Sequence, residues 1–257
     1  MLSIQRLLEK TYGCLSMALT LMLVAPQVHA VIPGESQQLV VVTTDGWDST
    51  TGKMQTFTRG ANDRWQAEEL RAEVILGRSG LAWGIGLHPL QTGQQKLEGD
   101  GKAPAGMFRL SGSFGADANA PGAMPYLAMR KNHYCIDIPS SPLYNQIVDI
   151  SKYPKNMTKG TTEPMRRDLA ATPDNSYLRG LFIDHNPRSQ PGAGSCIFMH
   201  QIVPEKTATA GCTALPDSDL SALFAWLKPD AKPVYLLLPA AEYEARRSSW
   251  HLPALQP

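Results

Sequence analysis

Gly194-Ser195-Cys196-Ile197-Phe198-Met199-His200-Gln201, followed after a polar, proline-containing loop by Thr209-Ala210-Gly211-Cys212-Thr213-Ala214, is the stretch around which the chain is organised. The bulky apolar run Ile197-Phe198-Met199 reads as a buried strand that ends at His200. Thr209-Ala210-Gly211 reads as a tight turn that delivers Cys212. A thiol and an imidazole brought together from a turn and a strand end are the parts of a cysteine nucleophile. Cys212 lies twelve positions after His200, enough for a connection that folds back on itself. A glycine before the cysteine and a helix start near Asp217 after it can expose the sulfur and offer backbone N–H groups to an oxyanion.

Working outward, the same pattern of short apolar runs between turn residues recurs. Leu39-Val40-Val41-Val42-Thr43 is a β-branched first strand, Asp45-Gly46 turns it, and Met54-Gln55-Thr56-Phe57-Thr58 alternates as its hairpin partner. Residues 64–68 and 72–76 read as two further short strands, and Met107 to Leu110 as another, after the charged turn cluster 96–106. The glycine-rich segment 80–86 is not a phosphate loop, because no Lys-Ser/Thr ends it. Ser140 to Asn145 has turn chemistry, and Glu163 to Asp168 opens a short helical turn with Pro164 at its first position. Leu181-Phe182-Ile183 is a strand ending in Asp184-His185-Asn186. Downstream, Pro216-Asp217-Ser218-Asp219 caps a helix over 220–227, whose Leu220, Leu223, Phe224 and Leu227 mark a core face; Pro229 stops it. Residues 232–239 form a last strand, and Arg246-Arg247 sits on a solvated tail. Many short strands with few helical pieces predict a mainly β (α+β) domain, a β-sandwich or partly closed barrel with a few peripheral helices.

The N-terminus carries Arg6 and Lys10, an uncharged apolar run from Cys14 to Val24, and the small-residue site Val28-His29-Ala30. This pattern predicts a cleavable signal peptide over 1–30, with a single domain over 31–257 exported to an oxidising compartment. The apolar run is shorter than the roughly 20 residues of a membrane span, so no span is expected after cleavage. A formal charge of +1 provides no basic footprint for nucleic acid. Twenty-one glycines and 20 prolines with 18% charged residues suit a loop- and strand-rich secreted domain.

Cleavage leaves Cys135, Cys196 and Cys212, an odd number, so at least one thiol is unpaired. Three readings stay open. A disulfide joins Cys196 to Cys212, or it joins Cys135 to Cys196 and leaves Cys212 reactive, or zinc binds Cys196, His200, Cys212 and His185. The spacing Cys-x3-His-x11-Cys is a weak zinc pattern, and there is no Cys-x2-Cys. Burial in an apolar strand makes Cys196 the poorer nucleophile.

Several segments together carry a family resemblance. They are Trp83-Gly84-Ile85-Gly86, the run from Glu98 to Phe108, Ser141-Pro142-Leu143-Tyr144-Asn145, Glu163-Pro164-Met165, Asp184-His185-Asn186, and the two halves of the opening stretch. In order and spacing over about 80–239, the chain resembles the L,D-transpeptidase (YkuD-like) catalytic domain, in the branch with a Thr-Ala-Gly-Cys motif. The resemblance implies that Cys212 is the nucleophile and His200 the general base, with Gly211 and Cys212 presenting N–H groups to the oxyanion. It implies attack on the L-centre carbonyl of the third residue of a peptidoglycan stem peptide, loss of the terminal D-amino acid, a thioester, and transfer to an amine acceptor. Periplasmic location follows, and no metal or organic cofactor is required. Transfer to water would make the enzyme an L,D-carboxypeptidase, and a dead site would leave a wall-binding module. The common form of the motif is Ser-His-Gly-Cys followed after one residue by Arg or Asn, and here Ala210 and Ala214 occupy those places. Substrate contacts would then fall to His185, Asn186, Arg166 and Arg167, with Glu98 and Asp100 helping to form the site. Because stem peptides carry carboxylates, one well-placed arginine fork would suit them.

Overall fold

The computed structural model describes residues 32–204 and 206–257, so the predicted signal peptide lies outside the described residues. Its main element is a sheet that closes on itself. The strands are β1 (Gln38–Thr44), β2 (Thr51–Arg59), β3 (Trp65–Ile75), β4 (Leu81–Trp83), β5 (Ala103–Gly115), β6 (Tyr126–Ala128), β7 (His133–Cys135), β8 (Ile147–Asp149), β9 (Glu163–Pro164), β10 (Arg179–Ile183), β11 (Phe198–Gln201), β12 (Thr213–Leu215) and β13 (Val234–Pro239). The order β10-β11-β12-β3-β2-β1-β13-β5 is completed by pairing of β5 with β10, which makes an eight-stranded barrel; β4 and β6 add to β5. The mainly β fold, with only three α-helices among the described residues, agrees with the sequence expectation.

The closure depends on two strands. β1, with Leu39 to Val42 all buried, lies between β2 (antiparallel) and β13 (parallel), so an unbroken apolar run is what its position requires. β5 is long enough to pair with β13 over Gly106 to Arg109 and with β10 over Leu110 to Gly115, joining both sides of the barrel. Leu39, Val41, Met107, Phe108, Leu181, Met199, Leu236 and Leu238 belong to the main core. A separate three-stranded sheet, β8-β7-β9, stands beside the barrel and holds Cys135 and Glu163.

Of the helices, α1 (Lys155–Thr158) is one turn, α2 (Asp217–Trp226) buries Leu220, Leu223 and Phe224, and α3 (Ala240–Arg246) buries Tyr243. No helix among the described residues is long and apolar enough to cross a membrane.

Four local expectations are corrected. Residues 64–68 and 72–76 belong to one 11-residue strand, β3, whose polar, exposed face disguised its continuity; one irregularity opposite Gln55 to Phe57 interrupts its pairing with β2. Glu163-Pro164 is a strand pair with Tyr134 and Cys135, and the helical turn begins only at Arg167. The α2 N-cap is Pro216, with no side-chain cap hydrogen bond. Arg246 is not a solvated tail residue: its guanidinium lies 4.9 Å from the centre of the Trp83 ring and 5.6 Å from that of Trp250.

Candidate active site

The turn before Cys212 is tied to the end of β3. Thr209 N–H donates to Leu76 O (2.8 Å), and Arg78 N–H donates to Thr209 O (2.9 Å). Within the turn, Thr209 Oγ1 accepts from Gly211 N–H (3.1 Å) and donates to Cys212 O (2.7 Å). Gly211 has φ +147°, and a Cβ there would lie 2.9 Å from Lys102 O, so the position needs glycine. Its N–H is engaged by Thr209 rather than directed at an open oxyanion position.

Cys212 then leads into β12. The parallel pairing of Met199 with Thr213 and of His200 with Ala214 fixes the faces. Strand alternation sends Met199 and Thr213 into the barrel, where the Thr213 hydroxyl meets Tyr235 Oη at 2.7 Å. Phe198, His200, Cys212 and Ala214 share the opposite face. His200 and Cys212 both line a cleft of about 390 Å³ on this side.

The sequence reading expected an exposed sulfur, but Cys212 is only 7% exposed. Its Sγ accepts from Phe198 N–H (3.4 Å), donates to Cys196 O (3.6 Å) and lies 3.8 Å from Tyr177 Oη. Burial pushes the thiol up to about 11, and the Glu163 carboxylate acts in the same direction. His200 Nδ1 is 2.8 Å from Gln201 O. A carbonyl only accepts, so Nδ1 carries the hydrogen and Nε2 the lone pair. Burial holds the imidazole down at about 4. At neutral pH the pair is therefore a thiol and a neutral imidazole rather than a preformed ion pair. No direct hydrogen bond joins them among the described residues. Tyr177 touches both, with its ring centre 5.2 Å from that of His200 and its hydroxyl beside the sulfur.

A charged wall faces the pair. Arg167 Nη1 is 3.0 Å from Glu163 Oε1, its Nε is 3.2 Å from Asp174 Oδ2, and its guanidinium lies over the Tyr177 ring at 5.0 Å. Lys206 Nζ reaches the same Asp174 oxygen at 2.8 Å. Burial opposes ionisation of Asp174, but Lys206, Ser176 and Arg167 outweigh it and hold the carboxyl well below its ordinary range. Glu163 is shifted the other way: burial raises it, against the pull of Arg167. Arg166 is turned away, bidentate on Asp168 at 2.9 and 2.7 Å, and does not line the cleft.

The charged turn cluster is structured rather than solvated. Glu98 lines the cleft and accepts from Tyr144 Oη and from Ser195 Oγ, the latter at 2.7 Å. Asp100 clasps the loop, accepting from Lys96 Nζ (2.5 Å), Leu97 N–H (2.8 Å) and Lys102 N–H (2.9 Å). The Lys96 side chain is only 4% exposed.

His185 and Asn186 are scaffold residues in this structure. His185 Nδ1 accepts from Ile85 N–H (3.2 Å), which leaves Nε2–H to donate to Ala193 O (2.9 Å), so both ring nitrogens are engaged; burial lowers the ring to about 4. Asn186 is fully buried at φ +51°, bonded to Gln190 and to Gly194 O. Asn145, quoted in the sequence only for its turn chemistry and as part of a matching segment, braces the same segment of chain. Its Nδ2 donates to the carbonyls of His185 and Asn186, and its Oδ1 accepts from Cys196 N–H at 2.9 Å. Cys196 is disulfide-bonded to Cys135, and Cys212 is the free cysteine among the described residues. That bond removes the Cys196 thiolate that the zinc reading requires.

Sequence reasoning missed Tyr177 and Asp174, which lie in a segment without a motif, and Arg78. Glu163 and Tyr144 were quoted only within turn and matching segments, with no site role. The profile of the YkuD family, the L,D-transpeptidase catalytic domain, matches residues 48–236, a span that contains Cys212, His200 and every wall residue named above. No curated protein and no solved structure matches. The chain therefore belongs to the L,D-transpeptidase catalytic domain family.

Proposed function

We propose that this protein is a peptidoglycan L,D-transpeptidase in which Cys212 is the nucleophile and His200 the general base. The observation that carries this is the placement of the one free cysteine among the described residues on the same cleft-facing sheet surface as His200, whose tautomer leaves Nε2 as an acceptor. As the substrate carbonyl approaches, the Cys212 S–H proton passes to His200 Nε2 and the sulfur bonds to the carbonyl carbon. The oxyanion is met by Cys212 N–H, since Gly211 N–H is engaged by Thr209. The C–N bond breaks, His200 returns the proton to the departing amine, and a thioester remains. An acceptor amine then gives its proton to His200 and displaces the Cys212 sulfur, which regains a proton.

Because burial favours the neutral thiol and the neutral imidazole alike, the proton moves with attack rather than before it. Glu98 with its Tyr144 and Ser195 donors, together with the Arg167 wall, shapes the donor side of the cleft. Residues 31–257 form the exported catalytic domain, released in the periplasm by cleavage near Ala30. Purified wild-type and Cys212→Ala protein, incubated with a stem tetrapeptide and an amine acceptor, test the reading by mass spectrometry. Wild type should release the terminal D-residue and form the cross-linked product, and the variant should do neither. Release without cross-linking would identify a carboxypeptidase, and undiminished turnover by the variant would exclude Cys212.

A further inference from the structure

Four cationic side chains line the cleft: Arg78, Lys96, Arg167 and Lys206. Three are already neutralised. Lys96 is bound to Asp100 at 2.5 Å, Arg167 is shared between Glu163 and Asp174, and Lys206 is bound to Asp174 at 2.8 Å. Arg78 has no carboxylate partner among the described residues, although its position is fixed. Its N–H is bound to Thr209 O, three residues before the nucleophile. Its side chain lies across the loop that carries Glu98, since a Cβ on Gly101 would come within 3.0 Å of Arg78 Cγ and Cζ. Resting on the proposed function, we infer that Arg78 is a specificity-determining residue that binds the free terminal carboxylate of the residue released from the donor peptide.

The chemistry matches in kind and place. A guanidinium presents a planar fork to a carboxylate, and an unpaired one needs no existing ion pair broken first. The released residue's carboxylate lies one residue beyond the scissile carbonyl, about 3.8 Å along the chain. Arg78 is anchored through its backbone to the turn that presents Cys212, and both residues line the same cleft. Arg167, the more obvious choice from sequence, is committed to two carboxylates and to the Tyr177 ring. Substrate selection then falls to a residue in the loop that follows β3, outside the motif that supplies the nucleophile.

The test measures binding to Cys212→Ala protein, in which turnover is blocked, of a stem tetrapeptide with a free C-terminal carboxylate and of the same peptide as its C-terminal carboxamide. With Arg78 intact, the acid should bind about tenfold more tightly than the amide, the scale of one hydrogen-bonded charge. Added Arg78→Ala should erase that preference by weakening the acid alone, and Arg78→Lys should keep part of it, since charge remains and the fork is lost. Arg78 is exposed, so neither change disturbs the core. A preference that survives Arg78→Ala overturns the inference while leaving the proposed function intact. Failure of both peptides to bind with Arg78 present overturns the peptide reading itself, and the inference with it.

Discussion

Opening the Cys135–Cys196 disulfide should cost this protein stability and activity by separable routes. The bond joins residues 61 apart, linking the small β8-β7-β9 sheet to the segment just before β11. Loop-closure entropy for about 61 residues gives about 4 kcal/mol at 25 °C, at the upper end of the usual range. The bond also holds Cys196 at φ +57°, an uncommon conformation for a residue with a side chain. In that conformation Cys196 N–H bonds to Asn145, and its carbonyl accepts from Cys212 Sγ. The perturbation is the double change Cys135→Ala with Cys196→Ala, which leaves no stray thiol to exchange with Cys212. Urea unfolding of the double variant and the wild type, read at constant slope, gives the stability difference. Peptide turnover well below the unfolding midpoint gives the catalytic one. A loss of about 2–4 kcal/mol, with a fall in turnover under fully folded conditions, is expected. A loss below about 1 kcal/mol would show that the bond does not constrain the unfolded chain as supposed. Unchanged turnover would show that the Cys196 carbonyl does not position the nucleophile.

Two further outcomes follow from the buried groups. His185 and His200 are each lowered to about 4 by burial from an ordinary 6.5, so their stabilising contributions are complete above pH 6.5 and are lost as pH falls towards 4. That amounts to about 3 kcal/mol each, partly offset by Asp184 and Glu163, whose raised values act with the opposite sign; a flat unfolding free energy between pH 6.5 and 4.5 would contradict the assignment. Gly211→Ala places a Cβ 2.9 Å from Lys102 O at φ +147° and should cost about 1–3 kcal/mol, with a larger proportional loss of turnover; wild-type melting and turnover would show that the turn tolerates a side chain.

The parts of the fold that were legible in the sequence are those in which one strand's own pattern states its environment. The apolar run of β1, the alternation of β2 and the run ending at His200 all fall where the pattern places them, because burial on one or both faces selects those residues directly. β3 was read as two strands because its exposed face breaks the apolar rhythm, whereas its continuity comes from pairing with β2. The site divided in the same way. Cys212 and His200, the proposed pair, stand out by local spacing. The groups around them are long-range: Tyr177 lies 35 residues before Cys212, and Glu98, which lines the same cleft, meets Ser195 across 97 residues. His185 and Asn186 were candidates for substrate contact because the family resemblance leaves the motif places at Ala210 and Ala214 unfilled; in the structure their hydrogen-bonding groups shape the loop that leads to Cys196. Arg166 and Arg167 are adjacent in sequence and diverge in space, the first to Asp168 and the second to the cleft wall, a difference no spacing rule expresses.

The central claim is that Cys212 forms the covalent intermediate. The most direct measurement is the intact mass of the protein, quenched in acid during turnover of a stem tetrapeptide, with peptide mapping of the modified residue. The account predicts a thioester adduct equal to the donor less its terminal D-residue, located at Cys212 and removed by an amine acceptor. An adduct at another residue, or steady turnover by Cys212→Ala at the wild-type rate, would contradict it.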